Sequence, residues 1–211
     1  MSIESTVSGP RRQRPAYRIN AVGVASFLVI LFWVIIAIGA PWIAPHTPGD
    51  IVDADFYGPI SKALPLGSDY LGRDMLSRII VGARFTLGIS LASVILAVVS
   101  GVVLGMSAAV TGGWFDALLS RFFDALISIP SKLFGLVVVA AVGSSIPVLI
   151  VATGIIYTPG SYRFARSLAV NVNTQDFVTV ARVRGESTLY IIGREILPNI
   201  IRPVLADFGV R

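Results

Sequence analysis

Four mostly apolar stretches of the chain are each long enough to form a helix that crosses a membrane. They lie at about 20–41, 84–110, 115–143 and 145–166, and the first contains the uncharged run AVGVASFLVILFWVIIAIGA. A helix needs about 20 such residues to cross about 30 Å of hydrocarbon. The pattern therefore predicts an all-α membrane protein, built as a polytopic helical bundle.

The charges on either side of the first stretch predict its orientation. Basic residues collect on the cytoplasmic side of membrane helices. We therefore expect a cytoplasmic N-terminal segment at 1–19 and an external loop at 42–83. Four crossings then return the chain to the cytoplasm after residue 166. The charges are Arg11, Arg12, Arg14 and Arg18 before the stretch, and Asp50, Asp53 and Asp55 after it.

The end of the external loop, PLGSDYLGRDMLSRIIVGAR, carries its own helical spacing. Leu71, Met75 and Ile79 recur every four residues, and Asp74 stands four residues before Arg78, where a pair of opposite charges supports a helix. This predicts a short amphipathic helix at the outer membrane face. A turn followed directly by the start of the second span fits the pattern equally well.

Glycine and proline mark three places within the later spans. Gly101 and Gly105 form a GxxxG pattern that allows a neighbouring helix to approach closely. The third span has its charges in its first half, at the cytoplasmic face, and is expected to kink near Pro130. The fourth is interrupted by Thr158, Pro159 and Gly160, which are candidate pore-lining residues because freed backbone groups need protein or water partners. A kink that only improves packing is an equal alternative.

Composition agrees with a membrane protein. The chain is 55% hydrophobic and 14% charged, with a mean hydropathy of +0.80, whereas about a quarter of the residues of a soluble domain are charged. The net charge of +5 is explained by cytoplasmic anchoring beside membrane lipid. No basic patch is interleaved with aromatic residues, so the sequence does not predict binding to nucleic acid.

The residue types needed for catalysis are scarce. The chain has no cysteine and one histidine, His46, which excludes thiolate chemistry and leaves His46 without partners at metal-ligand spacing. Both lysines follow serine, so no Gly-Lys dipeptide and no phosphate-binding loop of the Walker A type exists. We therefore expect no catalytic residue, no metal and no directly bound cofactor in this chain.

A charged segment near the end, at 174–198, contrasts with the apolar spans. Asn173 or Thr174 is predicted to cap a short helix that Gly185 ends, and Ser187 to cap a second helix that Pro198 stops or redirects. This helix, hinge and second helix would be presented to the cytosol and fit a groove on a partner protein. An amphipathic pair resting on lipid headgroups is the alternative.

Three stretches resemble the motifs of one family. FVTVARVRGESTLYIIGREILPN is similar to the EAA loop of ABC importer permeases, and LPLGSDYLGRDMLSRIIVGAR and GGWFDALLSRFFDALISIPS look like two hallmarks of the C-type subunit of dipeptide and oligopeptide importers. The resemblance places the EAA pattern on Thr179, Val180, Ala181, Gly185, Ile196, Leu197 and Pro198. It places the external-face motif on Gly67, Asp69, Gly72, Arg73 and Asp74.

The chain departs from the family pattern in two ways. Thr179 stands where the family has glutamate and Val180 where it has alanine, so coupling would use another contact, such as Glu186 or Arg184. The family also continues through two more spans, whereas the final residues carry Arg202, Asp207 and Arg211 and are not expected to span alone. We therefore expect a truncated sequence.

The resemblance implies a pore-forming permease subunit of an ATP-driven importer in the bacterial inner membrane. Its implied partners are a second permease subunit, two cytoplasmic ATPase subunits that bind ATP, and an extracytoplasmic peptide-binding protein. Import of nickel or another small solute and a truncated, non-transporting subunit remain alternatives. A transporter driven by ion gradients is disfavoured because the first two spans lack ionisable residues in their interiors.

Overall fold

The computed structural model describes residues 21–53 and 56–211. The predicted N-terminal segment at 1–19, with its four arginines, and Asp55 lie outside these residues. The chain divides into two compact units, Met1–Ala83 and Arg84–Arg211. The described residues are helical, with two isolated bridges, Ile51 with Arg73 and Ser68 with Asp74, and no longer strand. This agrees with the predicted all-α class.

The described residues form eight α-helices and one π-helical turn. In chain order they are α1 (Ala21–Ile43), α2 (Met75–Thr111), α3 (Gly113–Ser128), α4 (Ser131–Val142), α5 (Ile146–Asn173), α6 (Asp176–Val183), α7 (Thr188–Tyr190), a π-helical turn (Ile191–Ile196) and α8 (Leu197–Val210).

Two of the described helices, α1 and α2, are long and apolar enough to cross a membrane. A third crossing is added if α3 and α4, which meet at 84°, form one bent span. The predicted fourth crossing, at 145–166, falls on α5, whose second half carries Arg163 and Arg166. It remains a prediction.

Helix α2 corrects the expectation for the end of the predicted loop at 42–83. Its 37 residues run without interruption from Met75, so the separate amphipathic helix is wrong and the alternative, a turn followed by the start of a long helix, is right. Asp74 immediately precedes this helix, and its Oδ1 accepts the backbone N–H of Leu76 at 3.0 Å. A carboxylate in this position caps the free N–H groups of the first turn, which fixes the start of the helix.

The third predicted span is two helices rather than one kinked helix. Ile129 and Pro130 both have extended backbone angles, with ψ near 122°. The ring of Pro130 disfavours a helical conformation for the residue before it. The predicted kink is therefore a complete break, and α4 starts afresh at Ser131.

The GxxxG prediction for α2 is confirmed. A Cβ atom placed on Gly101 would lie 2.7 Å from the backbone nitrogen of Tyr162, and one on Gly105 would lie 2.8 Å from the Tyr162 carbonyl oxygen. Helices α2 and α5 therefore meet backbone to backbone at these two glycines. Any larger residue would push them apart.

The predicted interruption of the fourth stretch is wrong, because α5 is continuous through Pro159. Thr158 and Pro159 are buried, and Gly160 is half-buried. The Thr158 hydroxyl donates to the Gly154 carbonyl at 2.8 Å and lies 3.1 Å from the Ser100 hydroxyl of α2. Such hydroxyl bonds help a membrane helix tolerate proline. These contacts agree with the alternative of a packing position, and the pore lining stays a prediction.

Candidate functional site

The segment at 174–198, called the helix-turn-helix element below, is built around Gly185. Its φ of 81° is left-handed, and its N–H donates to the Arg182 carbonyl at 2.9 Å while the Glu186 N–H donates to the Ala181 carbonyl at 3.2 Å. This pair of bonds is a Schellman motif, the helix ending that glycine favours. The prediction that Gly185 ends the first helix of the element is therefore confirmed, and its role as a hinge stays a prediction.

The second helix of the element begins as predicted, but the first does not. The Ser187 hydroxyl accepts the Tyr190 N–H at 3.3 Å, which caps α7. The residue before α6 is Gln175, whose side chain makes no capping bond. The expected cap from Asn173 or Thr174 is therefore wrong, because α5 extends to Asn173 and Thr174 closes its last turn.

Pro198 redirects nothing in this chain, and helix continues through it into α8. The turn before it is π-helical, and the Leu197 N–H donates to the carbonyl of Ile192, five residues earlier. Proline lacks an N–H and its ring clashes with the carbonyl four residues before it. A widened π turn directly before Pro198 is a place where this conflict is relieved. The expectation that Pro198 stops or redirects the helix is therefore wrong.

An apolar core holds the element against the long helices of its unit. Val178 and Ala181 on α6 are fully buried, as are Ala165 and Ala169 on α5 and Ile196 in the π turn. Val178, Ile196 and the α5 alanines belong to a cluster that also includes Met106 of α2. The small side chains of α5 leave room for α6 to pack closely. Ala181 and Ile196, two of the predicted coupling residues, are therefore buried inside the protein.

A polar clamp that sequence reasoning missed joins the element to the end of α2. The Asn173 amide donates to the Ala109 carbonyl at 3.1 Å, and its oxygen accepts from the Arg182 guanidinium at 2.7 Å. The same guanidinium reaches the Val110 carbonyl at 3.5 Å. The last carbonyls of a helix lack partners and attract cations, so Arg182 is well placed there. In the sequence, the one signal for this contact was a basic residue, Arg182, on the polar side of α6.

The outer side of the element presents apolar side chains with charges beside them. Val183 is 85% exposed, Leu189 81% and Val180 56%. Next to the turn, Arg184 lies 4.0 Å from Glu186 and has 57% of its side chain exposed. An exposed apolar face with a charged rim is typical of a helix that enters a groove on another protein.

Most of the other predicted residues of the element lie on this surface. The exposed ones are Thr179, Val180, Arg184, Gly185 and Pro198, whereas Glu186 and Leu197 are half-buried.

The residues at 67–78, called the turn segment below, form the second predicted site. Asp69 is 4% exposed, and its Oδ1 accepts the backbone N–H groups of Leu71 at 2.8 Å and Arg73 at 3.0 Å. Its Oδ2 pairs with the Arg78 guanidinium. Arg78 therefore binds Asp69, and the expected pair between Asp74 and Arg78 is wrong, because Asp74 is used as the cap of α2.

Both predicted glycines of the turn segment have left-handed backbones, with φ of 71° at Gly67 and 70° at Gly72. A Cβ on Gly67 would lie 2.5 Å from the Gly58 carbonyl oxygen, and one on Gly72 would collide with the Asp53 carbonyl. The Gly72 carbonyl in turn accepts the N–H groups of Val52 and Asp53. Glycine is therefore required at both positions by conformation and by space.

The turn segment contacts His46, which lies 28 residues before Asp74 and 31 residues before Ser77 in the sequence. His46 Nδ1 lies 3.1 Å from Asp74 Oδ2, and the Ser77 hydroxyl donates to the same oxygen at 2.5 Å. The Ser77 oxygen also accepts the backbone N–H of His46. Because the hydroxyl is directed at the carboxylate rather than the imidazole, this arrangement does not activate a nucleophile. It ties the loop at His46 to the start of α2.

Hydrogen bonds keep both carboxylates of the turn segment ionised. Burial alone would raise the pKa of Asp69, but the N–H groups of Arg73 and Leu71 and the charge of Arg78 lower it overall. Burial likewise opposes ionisation of Asp74, yet the hydrogen bonds from Ser77, His46 and Leu76 leave its pKa below the ordinary value. Donors that favour the charged form outweigh desolvation at both groups.

Two family models match the chain. Residues 101–211 match the family described as binding-protein-dependent transport system inner membrane component. Residues 16–59 match the N-terminal TM domain of oligopeptide transport permease C. The first match covers α3 to α8, including the whole helix-turn-helix element.

Curated relatives give the same indication. The chain is 32% identical over 194 residues to the di/tripeptide transport system permease protein DppC of Pseudomonas aeruginosa (strain UCBPP-PA14), an alignment that covers 89% of this chain and 64% of the relative. It is 33% identical over 197 residues to the glutathione transport system permease protein GsiD of Escherichia coli O157:H7 and of Shigella sonnei (strain Ss046), covering 92% of this chain and 65% of each relative. The chain thus spans just under two thirds of the length of these relatives.

Proposed function

Because the chain belongs to the family of binding-protein-dependent transport system inner membrane components, we propose that it is the pore-forming permease subunit of an ATP-driven importer of di- and oligopeptides. The helix-turn-helix element carries this proposal. It is a pair of helices joined by a Schellman turn at Gly185, with an exposed apolar face, and buried residues fix it to the long helices. The names of the relatives, which are permeases for di/tripeptides and glutathione, support peptides as the cargo.

The proposed membrane arrangement follows from the charges of the sequence. The N-terminal segment and the helix-turn-helix element lie in the cytoplasm, and the turn segment lies on the external side. The partners are a second permease subunit, two cytoplasmic ATPase subunits that bind the ATP, and an extracytoplasmic peptide-binding protein. This chain binds no cofactor itself and is not an enzyme.

Coupling works through the surface of the helix-turn-helix element. ATP-driven closure of the ATPase pair moves the element, and its buried anchors transmit the movement to α2 and α5. Arg184, Glu186 and Val180 contact the ATPase in place of the family glutamate, which Thr179 replaces here. Ala181 and Ile196 act from inside by holding the contact surface in position.

Copurification tests the proposed assembly first. The tagged chain is produced with its native neighbours and purified in mild detergent, and the accompanying proteins are identified by mass spectrometry. A second permease together with an ATPase is the expected result. Recovery of the chain without an ATPase under conditions that keep a known importer intact would contradict the proposal.

Substitution of Gly185 tests the coupling role directly. Valine at Gly185 must adopt the left-handed conformation, which costs roughly 1–2 kcal/mol, so Gly185→Val should distort the turn and uncouple ATP hydrolysis from peptide uptake in vesicles. Gly193→Val is the matched control, because both glycines have open space around them and Gly193 lacks a positive φ. Normal uptake by Gly185→Val would contradict the role of this turn.

A further inference from the structure

Helix α3 divides its exposed surface into two stripes of opposite character. Ala117, Arg121, Asp124 and Ser128 are exposed and separated by three or four residues, so they lie on one side of the helix. Trp114, Leu118, Phe122 and Ala125 are also exposed at the same spacing, about 100° further round. The first set is the polar stripe and the second is the apolar stripe.

The polar stripe continues onto α5 through a ladder of polar contacts. Arg166 holds Asp116 with two bonds of 2.5 Å, and the Tyr162 hydroxyl lies 2.9 Å from that of Ser120. Next in the ladder, the Arg163 guanidinium donates to Asp124 at 2.5 Å. These contacts fix α3 against α5 and present the Asp124–Arg163 pair at the surface.

The Asp124–Arg163 pair is more than half exposed, with 57% of the aspartate side chain and 53% of the arginine side chain open. A helix rises 1.5 Å per residue, so Asp124 lies about 15 Å along α3 from Trp114, an aromatic residue of the kind found at membrane interfaces. A charged side chain at the centre of a bilayer costs about 2.5–3.5 kcal/mol, and charged residues of membrane segments face protein or a water-filled cavity rather than lipid. The polar stripe therefore does not face lipid.

Polar side chains line the space beside the Asp124–Arg163 pair. A cavity of about 340 Å³ is lined by Ser120, Asp124, Tyr162, Arg163 and Arg166. Of the five N–H groups of a guanidinium, Arg163 directs one at Asp124. Hydroxyls, a carboxylate and two guanidinium groups around one cavity suit water and the charged ends of a peptide.

From these observations we infer that the polar stripe of α3, together with Arg163, lines the water-filled path through which a charged, water-soluble cargo crosses. The inference rests on the proposed transport function and names the residues that form this lining. It replaces the sequence expectation at 158–160, because Thr158 and Pro159 are buried and Gly160 is half-buried, whereas the residues of the polar stripe are exposed. The apolar stripe is the surface that faces lipid.

Cysteine accessibility tests this assignment without using transport as the readout. The chain has no cysteine of its own, so single variants give unambiguous signals. Ser128→Cys and Ala117→Cys probe the polar stripe, while Ala125→Cys and Leu118→Cys are controls at similar depth on the apolar stripe. None of the four removes a charge. The variants are labelled with a membrane-impermeant methanethiosulfonate in vesicles that contain the chain and its native partners.

Thiols react as thiolates, and apolar surroundings raise the thiol pKa. A rise of one unit lowers the thiolate fraction about tenfold. We expect labelling at residues 117 and 128 to be at least about tenfold faster than at residues 118 and 125. Equal rates on the two stripes, or protection at both 117 and 128, would overturn the inference.

Uptake by the chain without substitutions is measured in the same vesicles. Faster labelling on the polar stripe in vesicles without ATP-driven uptake would refute the transport function, while the polar stripe would still be shown to face water. Uptake without stripe-selective labelling would refute only the lining.

Discussion

The turn segment and the helix-turn-helix element are both short, but different forces hold them. In the turn segment, two buried carboxylates organise the backbone, and Asp69 and Asp74 accept bonds from N–H groups, one hydroxyl and a guanidinium. In the helix-turn-helix element, the buried side chains are apolar, and the charged ones are exposed or half-buried. The buried residues are Val178, Ala181, Ile191 and Ile196. The first should therefore respond to pH and the second to side-chain volume.

The largest expected effect on stability is in the helix-turn-helix element, which apolar packing holds in place. Ile196 is fully buried, and replacing a buried isoleucine by alanine costs about 2–5 kcal/mol, since it removes apolar contact and leaves a cavity. Ile196→Ala should lower the thermal midpoint in detergent and speed hydrogen exchange in α6. Leu189→Ala, at an 81% exposed position, is the control and should leave both near their original values. Similar behaviour of the two variants would show that the core does not hold the element.

The corresponding change in the turn segment removes Asp74. Asp74→Ala leaves the Ser77 hydroxyl and the Leu76 N–H without their acceptor, and losing such a partner in a buried site costs about 1–3 kcal/mol. The loop at His46 should become more sensitive to proteolysis, together with a lower thermal midpoint. Asp50→Ala, at an exposed position of the same unit, should change neither. An unchanged cleavage rate in Asp74→Ala would contradict the organising role of this carboxylate.

Acid should affect the turn segment more than the helix-turn-helix element. The pKa values of Asp69 and Asp74 are lowered in the folded protein, so their stabilisation is complete at pH values above the ordinary carboxyl pKa. It is lost as the pH falls through the folded-state values. The thermal midpoint of the unsubstituted chain should therefore decrease when the pH is lowered below about 4.

The double variant that combines Asp69→Asn with Asp74→Asn should have a lower thermal midpoint at neutral pH. Its midpoint should also change less as the pH is lowered. Ile196→Ala, in contrast, should keep the acid dependence of the unsubstituted chain. An equally steep acid loss in the double Asn variant would assign the pH response to other groups.

A smaller effect is expected from the polar clamp. Asn173→Ala removes hydrogen bonds to Ala109 and Arg182, and a single net hydrogen bond contributes about 1 kcal/mol. We expect a modest rise in hydrogen exchange where α6 meets the end of α2. Asn171→Ala, two residues earlier at an exposed position, is the control. An effect as large as that of Ile196→Ala would mean that polar contacts, and not the apolar core, fix the element.

The smallest effect on stability is expected at Thr179, which is exposed on α6. Thr179→Glu restores the residue found in the family pattern, and its effect on stability should stay within about 0.5 kcal/mol. If the ATPase contact still accepts a carboxylate, ATPase retention during purification should increase. Weaker retention would indicate that the partner surface has adapted to threonine.

Sequence reasoning predicted best where a local rule decides the structure. Gly185 ends α6 because few other residues adopt a left-handed backbone at low cost, and Ser187 caps α7 with its own hydroxyl. The close approach at Gly101 and Gly105 followed from the absence of side chains there. The family pattern located the helix-turn-helix element, although its motif could not separate the buried Ala181 from the exposed Val180.

Several wrong predictions concern residues whose surroundings differ from those that a short-range rule assumes. Arg78 stands four residues after Asp74 but binds Asp69, because Asp74 is already occupied by the start of α2 and by His46. Pro159 and Pro198 both lie within continuous helix, where neighbouring contacts or a π turn accommodate them. A local rule for proline does not include these contacts.

The sequence by itself determined the helical membrane class, the places where helices end at glycine, and the family, because these depend on apolar length, backbone freedom and motif spacing. Only the tertiary structure decided which side of each helix is covered. Burial of Thr158 and Ala181, the exposed Asp124–Arg163 pair and the contact of Asn173 with α2 all depend on how α2, α3, α5 and α6 pack. Helical periodicity gives a residue its face, but the neighbouring helix determines whether that face meets protein, lipid or water.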